Sequence, residues 1–150
     1  MGDLEIRPTT PADIPAVVAM LADDPLGAQR ESPGDLGPYM AAFERLRADP
    51  NQHLVVAVRE GRVVGTLQLT IVPGLSRRGA TRSIVEGVRV HGDERGSGLG
   101  TQLIEWAIEE SRRQGCHLVQ LTSDKTRTDA HRFYERLGFS ASHTGFKLQL

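Results

Sequence analysis

The sequence predicts a mixed α/β (α+β) domain with a mostly antiparallel central sheet flanked by helices. Three observations predict this class. β-rich apolar runs cluster between residues 53 and 91, a strongly amphipathic helix follows them, and 150 residues suit one domain. The predicted order of elements is β-α-α-β-β-β-α-β-α-β-β. We therefore expect a single domain over residues 1–150.

The N-terminal part is predicted to contain one strand and two helices. Leu4–Arg7 reads as a short strand, and Pro11–Ala22 as a helix with apolar residues at helical spacing. Asp23–Gly37 is rich in Pro and Gly and is predicted to be a long loop, a kind of segment that often carries function. A second helix is predicted over Tyr39–Arg47, ended by Pro50.

Three strands are predicted in the middle of the chain. His53–Arg59 and Arg62–Val72 form a hairpin around the short turn Glu60–Gly61, where glycine adopts positive φ readily. A loop over Pro73–Gly79 leads into the third strand, Thr81–His91. The hairpin and the third strand make up most of the expected antiparallel sheet.

The C-terminal part is predicted to alternate helices and strands. Leu99–Gln114 is the strongest helix of the chain, with an apolar stripe and basic residues in its last turn. Leu118–Ser123 is predicted to be a strand and Ala130–Leu137 a short helix. Two short closing strands are expected around Phe139 and over Phe146–Leu150.

Composition excludes several classes of function. A formal net charge of -1 gives no general attraction to nucleic acid or to acidic membranes. With Cys116 as the only cysteine, neither an internal disulfide nor a multi-cysteine zinc site can form. We expect no metal, no secretory signal, no membrane span and a cytoplasmic location.

A glycine-rich turn before the Leu99 helix is the most informative segment. Arg95–Gly100 reads Arg-Gly-Ser-Gly-Leu-Gly, and glycines ahead of a helix N-terminus make a site for phosphate groups. The dinucleotide fingerprint requires glycine where Thr101 stands, and the nucleotide-triphosphate loop requires a lysine that is absent. The remaining pattern is R-x-x-G-x-G. A tight strand-to-helix turn without a ligand is the alternative.

A second motif follows one helix and one strand later. Ala130–Phe139 has the form A-x-x-F-Y-x-x-x-G-F. The two motifs in this order resemble the signatures of the GNAT superfamily of N-acetyltransferases, and the predicted element order is similar to the family fold over nearly the whole chain. The resemblance implies transfer of acetyl from acetyl-CoA to an amine. Thr128–Tyr134 is similar to members that acetylate small amines, including aminoalkylphosphonates.

The resemblance implies a small-molecule primary amine as substrate, direct attack in a ternary complex, and a homodimer. Two alternatives stay open. The first is a peptide or protein N-acetyltransferase, although no partner-docking module is recognisable. The second is a non-catalytic domain that binds or senses acyl-CoA.

The resemblance also assigns coenzyme contacts. Backbone groups of Val88 and Val90 are expected to hold the pantetheine arm and the acetyl carbonyl, where an N–H aimed at the thioester oxygen stabilises an oxyanion. Arg127 departs from the family pattern, which often has Asn there. The residues expected at the coenzyme are Val88, Arg89, Val90, Arg95, Gly96, Ser97, Gly98, Leu99, Gly100, Thr101, Ser123, Arg127, Ala130 and Phe133.

Glu86 is the candidate general base. An amine must lose its proton before it attacks, because ordinary amines are protonated near pH 7. Strict strand alternation places Glu86 on the face of Val88 and Val90, so it is expected to take the proton directly or through a water. The alternative role is a carboxylate paired with Arg89 or Arg82.

Tyr134 is the candidate general acid. The resemblance places it near the coenzyme sulfur, and a phenol still carries its proton at neutral pH, as an acid must. Its alternative role is a core aromatic beside Phe133 and Leu137. His131 and Glu135 share a helix face but are expected to form a solvated pair, and Cys116 is expected to act as a small hydrophobe.

Overall fold

The computed structural model describes residues 2–150, which divide into two compact units, residues 2–120 and 121–150. A five-stranded sheet has the order β1-β2-β3-β4-β5. The strands are β1 (Leu4–Pro8), β2 (Gln52–Arg59), β3 (Arg62–Val72), β4 (Arg82–Val90) and β5 (Leu118–Leu121). The helices are α1 (Ile14–Ala22), α2 (Pro25–Arg30), α3 (Gly37–Ala48), the single turn α4 (Ser76–Gly79), α5 (Leu99–Arg113) and α6 (Thr128–Arg136). The predicted mixed sheet flanked by helices is confirmed.

The β2–β3 hairpin forms where the sequence predicts it. Glu60 and Gly61 both adopt positive φ, 53° and 72°, as a tight two-residue hairpin turn of type I′ requires. Along β3 the side chains of Leu67, Leu69 and Ile71 are buried. The predicted alternation of apolar and polar faces in this strand is therefore confirmed.

A one-residue bulge interrupts the pairing of β3 with β4. Thr66 is the pairing partner of Arg89, and Gln68 is the partner of Glu86. Gly87 and Val88 therefore both lie opposite the single β3 residue between Thr66 and Gln68. Gly87 has a φ of 61°, which favours glycine. Beyond the bulge, the side chains of β4 point to the opposite face from the one that strict alternation predicts.

Helix α5 covers one face of the sheet. Because Leu99, Leu103, Ile104 and Ala107 recur at helical spacing, they form one stripe, and all four are buried. At Gly65 of β3 an added Cβ would lie 3.1 Å from the Leu103 side chain, so the absence of a side chain there allows the close packing. The face of β3 and β4 that lies away from α5 carries Gln68 and Glu86.

Strand β5 runs beside the first half of β4 only. The His117 N–H donates to the Thr81 carbonyl at 2.8 Å, which joins the N-terminal ends of the two parallel strands. β5 has four residues and β4 has nine, so β5 ends at about the level of Val85. The bulge and the remainder of β4 therefore extend past the end of β5.

The predicted loop Asp23–Gly37 is corrected by the structure, because it contains α2. Asp24 caps this helix: its Oδ1 accepts the N–H of Gly27 at 2.5 Å, and Pro25 occupies the first helical position. The Asp-Pro pair is a helix-start signal that the neighbouring Gly and Pro residues concealed. The next helix, α3, begins at Gly37, two residues earlier than predicted.

The C-terminal predictions are partly wrong. β5 ends at Leu121 rather than at Ser123, and α6 spans Thr128–Arg136 rather than Ala130–Leu137. In the described tail, residues 139–150, neither closing strand is present. A strand requires the backbone of a partner strand, and the alternating sequence Phe146–Leu150 has the side-chain pattern of a strand but forms no ladder in the described structure.

Candidate active site

The face of β4 away from α5 presents Glu86. Its side chain is exposed, and its cross-strand neighbour on β3 is Gln68, so the two side chains leave the sheet on the same face about 5 Å apart. Glu86 forms no ion pair among residues 2–150, so the alternative of a carboxylate paired with Arg89 or Arg82 finds no support.

The bulge corrects the predicted face of Glu86. Val90 pairs with Gly65, where an added Cβ would point at α5. Glu86 pairs with Gln68 on the other face. Glu86 therefore does not share a face with Val88 and Val90, as strict alternation predicted. The isolated glycine at position 87 was the sequence signal for the bulge.

A hydrogen-bonded row of polar side chains fixes the orientation of Gln68. Gln52 Oε1 accepts from Gln68 Nε2 at 3.0 Å and from Thr70 Oγ1 at 2.8 Å. Because the Gln68 amide nitrogen is used in this way, its Oε1 is the atom left to accept a further bond. Glu86 and Gln68 thus place two oxygen acceptors side by side, an arrangement suited to an amine. The sequence analysis did not identify this row, because it depends on strand pairing.

Arg89 lies on the same face as Glu86 but contacts the neighbouring corner of the fold, where α1 leads into α2. Its Nε lies 3.3 Å from Asp24 Oδ2, and a terminal nitrogen donates to the Val88 carbonyl at 2.9 Å. Asp24 is also the cap of α2. Arg89 therefore joins the α1–α2 corner to the bulged part of β4.

The glycine turn is an open cradle at the N-terminus of α5. Gly96 and Gly98 have φ values of 83° and 85°, and a Cβ built on either would meet nothing within 4 Å. Gly98 is the N-cap, so the first N–H groups of α5, from Leu99 onward, have no acceptor inside the helix. Open space, free N–H groups and the positive helix end together suit a pyrophosphate.

Two ion pairs hold the turn. Arg59 Nε lies 2.8 Å from Glu94 Oε1, and both side chains are largely buried. Arg95 contacts Asp23 at 3.5 Å, but both side chains are well exposed, so this pair is weak. The first pair anchors the turn, and the second leaves the Arg95 guanidinium accessible to a phosphate.

The second unit, residues 121–150, carries the remaining predicted site residues: Ser123, Arg127, Ala130, Phe133 and Tyr134. Within it, Tyr134 is half-buried, and its ring makes edge contacts with Phe133 at 5.1 Å and Phe139 at 5.9 Å. The hydroxyl of Ser123 is buried and has no hydrogen-bond partner in the described chain. A buried unpaired hydroxyl is a candidate contact for a ligand.

Other titratable residues have structural explanations. Burial raises the pKa of the Cys116 thiol, which keeps it protonated and a poor nucleophile. His131 Nε2 lies 2.8 Å from the Asp124 carbonyl rather than pairing with Glu135. In the described range, no group of three or more His, Cys, Asp or Glu side chains is placed to hold a metal ion. No helix within residues 2–150 is long and apolar enough to span a membrane.

Comparisons with known proteins show the family to which the chain belongs. The model of the Acetyltransferase (GNAT) family matches residues 15–139. Aminoalkylphosphonate N-acetyltransferase of Salmonella typhimurium is 34% identical over 95% of this chain and 88% of its own length. Glucosamine 6-phosphate N-acetyltransferase of Trypanosoma brucei brucei is 34% identical over 99% of this chain and 97% of its own. A crystal structure described as a transcriptional regulator from Bacillus halodurans is 47% identical and has a TM-score of 0.94, covering 99% of this chain and 100% of its own.

Proposed function

The chain belongs to the Acetyltransferase (GNAT) family, and we propose that it transfers the acetyl group of acetyl-CoA to a primary amine of a small molecule. The observation that carries this proposal is the pairing of the exposed Glu86 with the half-buried Gln68 on the sheet face away from α5, at the bulge that precedes the glycine turn. The cradle at Gly96 and Gly98 fits the pyrophosphate of the coenzyme, which supplies an activated thioester.

In the proposed reaction the amine attacks the thioester directly in a ternary complex. Glu86 takes a proton from the bound ammonium, directly or through one water, and the neutral nitrogen adds to the carbonyl carbon. Backbone N–H groups of the bulged strand, at Val88 and Val90, stabilise the oxyanion. The carbon–sulfur bond then breaks, and the Tyr134 hydroxyl gives its proton to the departing thiolate. The nitrogen loses its second proton as the amide forms, and this proton restores the Tyr134 phenol through solvent.

Two further features support a small-molecule acceptor. The relatives with 34% identity act on an aminoalkylphosphonate and on glucosamine 6-phosphate, both small amines. In this chain, Gln68 Oε1 supplies a second acceptor for the hydrogens of the amine beside Glu86. We assign Gln68 the role of orienting the amine nitrogen toward the thioester.

The proposal extends to the whole chain. We infer that its two units work as one N-acetyltransferase domain, that the protein is a homodimer, and that it acts in the cytoplasm. The exposed apolar tail supports the homodimer, and a lone cysteine without a disulfide is typical of that compartment.

A panel of amines, with thiol release from acetyl-CoA as the readout, tests the proposal. We expect release that depends on the amine, with the acetylated amine identified by mass. A non-catalytic sensor of acyl-CoA behaves differently: acetyl-CoA raises its melting temperature, yet no amine in the panel is turned over. That second outcome would refute the proposed activity.

A further inference from the structure

The sheet face that carries Glu86 continues away from the bulge as a row of cross-strand pairs between β4 and β3. In order, the pairs on this face are Glu86 with Gln68, Ile84 with Thr70, and Arg82 with Val72. All three pairs precede the bulge, so strict alternation holds along this part of both strands. Glu86 is exposed and the other five residues are half-buried. The candidate amine site is therefore one end of a longer surface.

Arg82 places a positive charge at the far end of this row. Its side chain forms no ion pair and no hydrogen bond within residues 2–150, although the residue is half-buried. A Cβ added at Gly74 would lie 3.9 Å from Arg82 Nη1, so the guanidinium lies beside the start of the β3–β4 connection. A guanidinium has five N–H donors in a planar arrangement that matches an oxyanion. Such a group, partly removed from water and without a protein acceptor, is suited to an anion from outside the chain.

The connection between β3 and β4 adds charge of the same sign. Residues 72–85 contain three arginines and no acidic residue. Arg77 and Arg78 are exposed, and neither forms an ion pair within residues 2–150. Both adopt positive φ, 54° and 62°, which is uncommon for residues other than glycine and is concentrated at functional sites. This end of the row is therefore positively charged, whereas Glu86 makes the other end negative.

The distance between the two ends suits a small molecule. Arg82 and Glu86 are four residues apart on one strand, which corresponds to about 13 Å between their Cα atoms. Hydrogen bonds at both ends take up part of this length, so a ligand that contacts both has a chain of only a few atoms between its charged groups. Ile84 lies between the two ends and offers apolar contact to such a chain.

We propose that the acceptor is a small amine that carries a phosphate or phosphonate group, and that Arg82 binds this group while Glu86 and Gln68 hold the amine. The charges of such a molecule match the two ends of the row in one orientation only. Three arginines without an acidic neighbour favour a doubly charged group over a carboxylate. This inference rests on the proposed function, because it names the substrate class of the same site.

The test changes the substrate and the residue together. Aminopropylphosphonate and propylamine are the probes, since they differ in the anionic group. In the wild type, kcat/KM should be roughly tenfold to hundredfold higher for aminopropylphosphonate, the usual size of a hydrogen bond to a charged group. Arg82→Gln should bring the ratio of the two kcat/KM values close to one, mainly by raising the KM for aminopropylphosphonate. The ratio cancels any general loss of activity in the variant.

Arg112→Gln is the matched control. It makes the same change of charge at an exposed arginine of α5, on the other face of the sheet, and should keep the wild-type ratio. A wild-type ratio of one, or a high ratio that survives Arg82→Gln, would overturn the inference. So would an equal loss in Arg112→Gln, because net charge rather than Arg82 would then select the phosphonate.

Aminobutanoate, which carries a carboxylate, tests the choice of a doubly charged group. Its kcat/KM should exceed that of propylamine by a smaller factor than the phosphonate does. A factor as large as that of the phosphonate would overturn the assignment of a phosphate or phosphonate group.

Calorimetry separates this inference from the proposed activity. Binding of aminopropylphosphonate to the wild type and to Arg82→Gln is measured with coenzyme A, which has no acetyl group to transfer. If no amine is turned over, the proposed activity fails, while weaker binding to Arg82→Gln still supports the Arg82 site. If both amines are turned over equally well, the activity stands and the inference falls.

Discussion

Glu86 of β4 and Gln68 of β3 are direct cross-strand partners, and their side chains lie on the face of the sheet away from α5. The Gln68 amide is oriented by Gln52, which also accepts from Thr70. An ammonium entering here meets a carboxylate and an amide oxygen together. Glu86 and Gln68 therefore combine a general base with a hydrogen-bond acceptor that orients the amine, and each residue can be tested by itself.

Replacing Gln68 by Leu should weaken amine binding. A hydrogen bond to a charged group contributes roughly 1.5–3 kcal/mol, so we expect the KM for the amine to rise roughly tenfold or more. The KM for acetyl-CoA should stay within a few-fold. Initial rates measured with each substrate varied in turn separate the two constants.

Thr70→Val tests whether Gln52 positions Gln68, because the substitution removes one of the two hydrogen bonds that Gln52 Oε1 accepts. This variant should raise the KM for the amine by a smaller factor than Gln68→Leu does. Combined with Gln68→Leu it should raise that KM little further, because the effects of substitutions within one hydrogen-bond network are not additive. Gln102→Leu, at an exposed position of α5, is the control. An amine KM unaffected by Gln68→Leu would show that Gln68 does not touch the acceptor.

The glycine turn is best tested at Gly100. Acetyl-CoA should stabilise the wild type by about 2.7 kcal/mol at a hundredfold excess over Kd, because a ligand that binds only the native state shifts the unfolding equilibrium. Gly98 has positive φ, so a side chain there would strain the backbone as well. Gly100 lies within α5 and has no such strain, so Gly100→Val should remove the melting shift by blocking the approach of the pyrophosphate.

Gln102→Val controls for the presence of a β-branched side chain in the same turn of α5. It should retain the full melting shift with acetyl-CoA. If Gly100→Val also retains it, the glycine turn does not bind the coenzyme.

Much of this site follows from local signals in the sequence. The glycine turn, the amphipathic α5 and the A-x-x-F-Y motif are each contained in a few consecutive residues. They suffice to identify the family and to predict where the proposed coenzyme cradle lies. Gly98 is the N-cap of α5, as the strand-turn-helix pattern predicts. Local chemistry determines such features, so a single sequence reveals them.

Features that depend on pairing between distant residues were not predicted. The bulge at Gly87 appears only in the register of β3 with β4, and it moves Glu86 to a different face from Val88. Phe146–Leu150 has a strand pattern, but a strand forms only where a partner backbone exists. Sequence alternation indicates which residues could share a face, and pairing decides whether they do.

Asp13 should make the stability of the protein depend on pH. Arg7 donates to its two oxygens at 2.7 and 3.1 Å, and this interaction lowers the pKa of Asp13 from 3.8 to about 2. A depressed pKa means that the stabilisation is complete above the ordinary value and is lost as pH falls from about 4 toward 2. Asp13→Asn should therefore lower the free energy of unfolding by about 2 kcal/mol at neutral pH.

Urea unfolding of the wild type and Asp13→Asn between pH 7 and pH 2 measures this difference. The difference in the free energy of unfolding between the wild type and Asp13→Asn should disappear as the solution becomes more acidic. Asp129→Asn, at a carboxylate that is 95% exposed, should show no comparable gap. If the difference in unfolding free energy between the wild type and Asp13→Asn stays constant with pH, the stabilisation does not come from ionisation of the Asp13 carboxyl.

Tyr134→Phe should lower kcat while the KM for acetyl-CoA stays within a few-fold. Only the departing thiolate needs the hydroxyl proton, so the loss falls on the transition state rather than on coenzyme binding. Steady-state kinetics with a saturating amine measure the effect. Wild-type turnover in this variant would leave Tyr134 with a packing role, such as its contacts with Phe133 and Phe139.

The pH profile of Glu86→Gln tests most directly that acetyl transfer depends on proton removal at this face of β4. Gln keeps the size and hydrogen bonding of Glu86 but cannot accept the proton, so the rate should fall roughly a hundredfold to ten-thousandfold. The acidic limb of kcat/KM should move or vanish. Two amine substrates of different basicity separate the two sources of this limb. An acidic limb that shifts with the substrate reports ionisation of the amine, and a limb that stays fixed reports ionisation of the enzyme. A Glu86→Gln variant with full activity and an unchanged profile would contradict the role of Glu86 as the base.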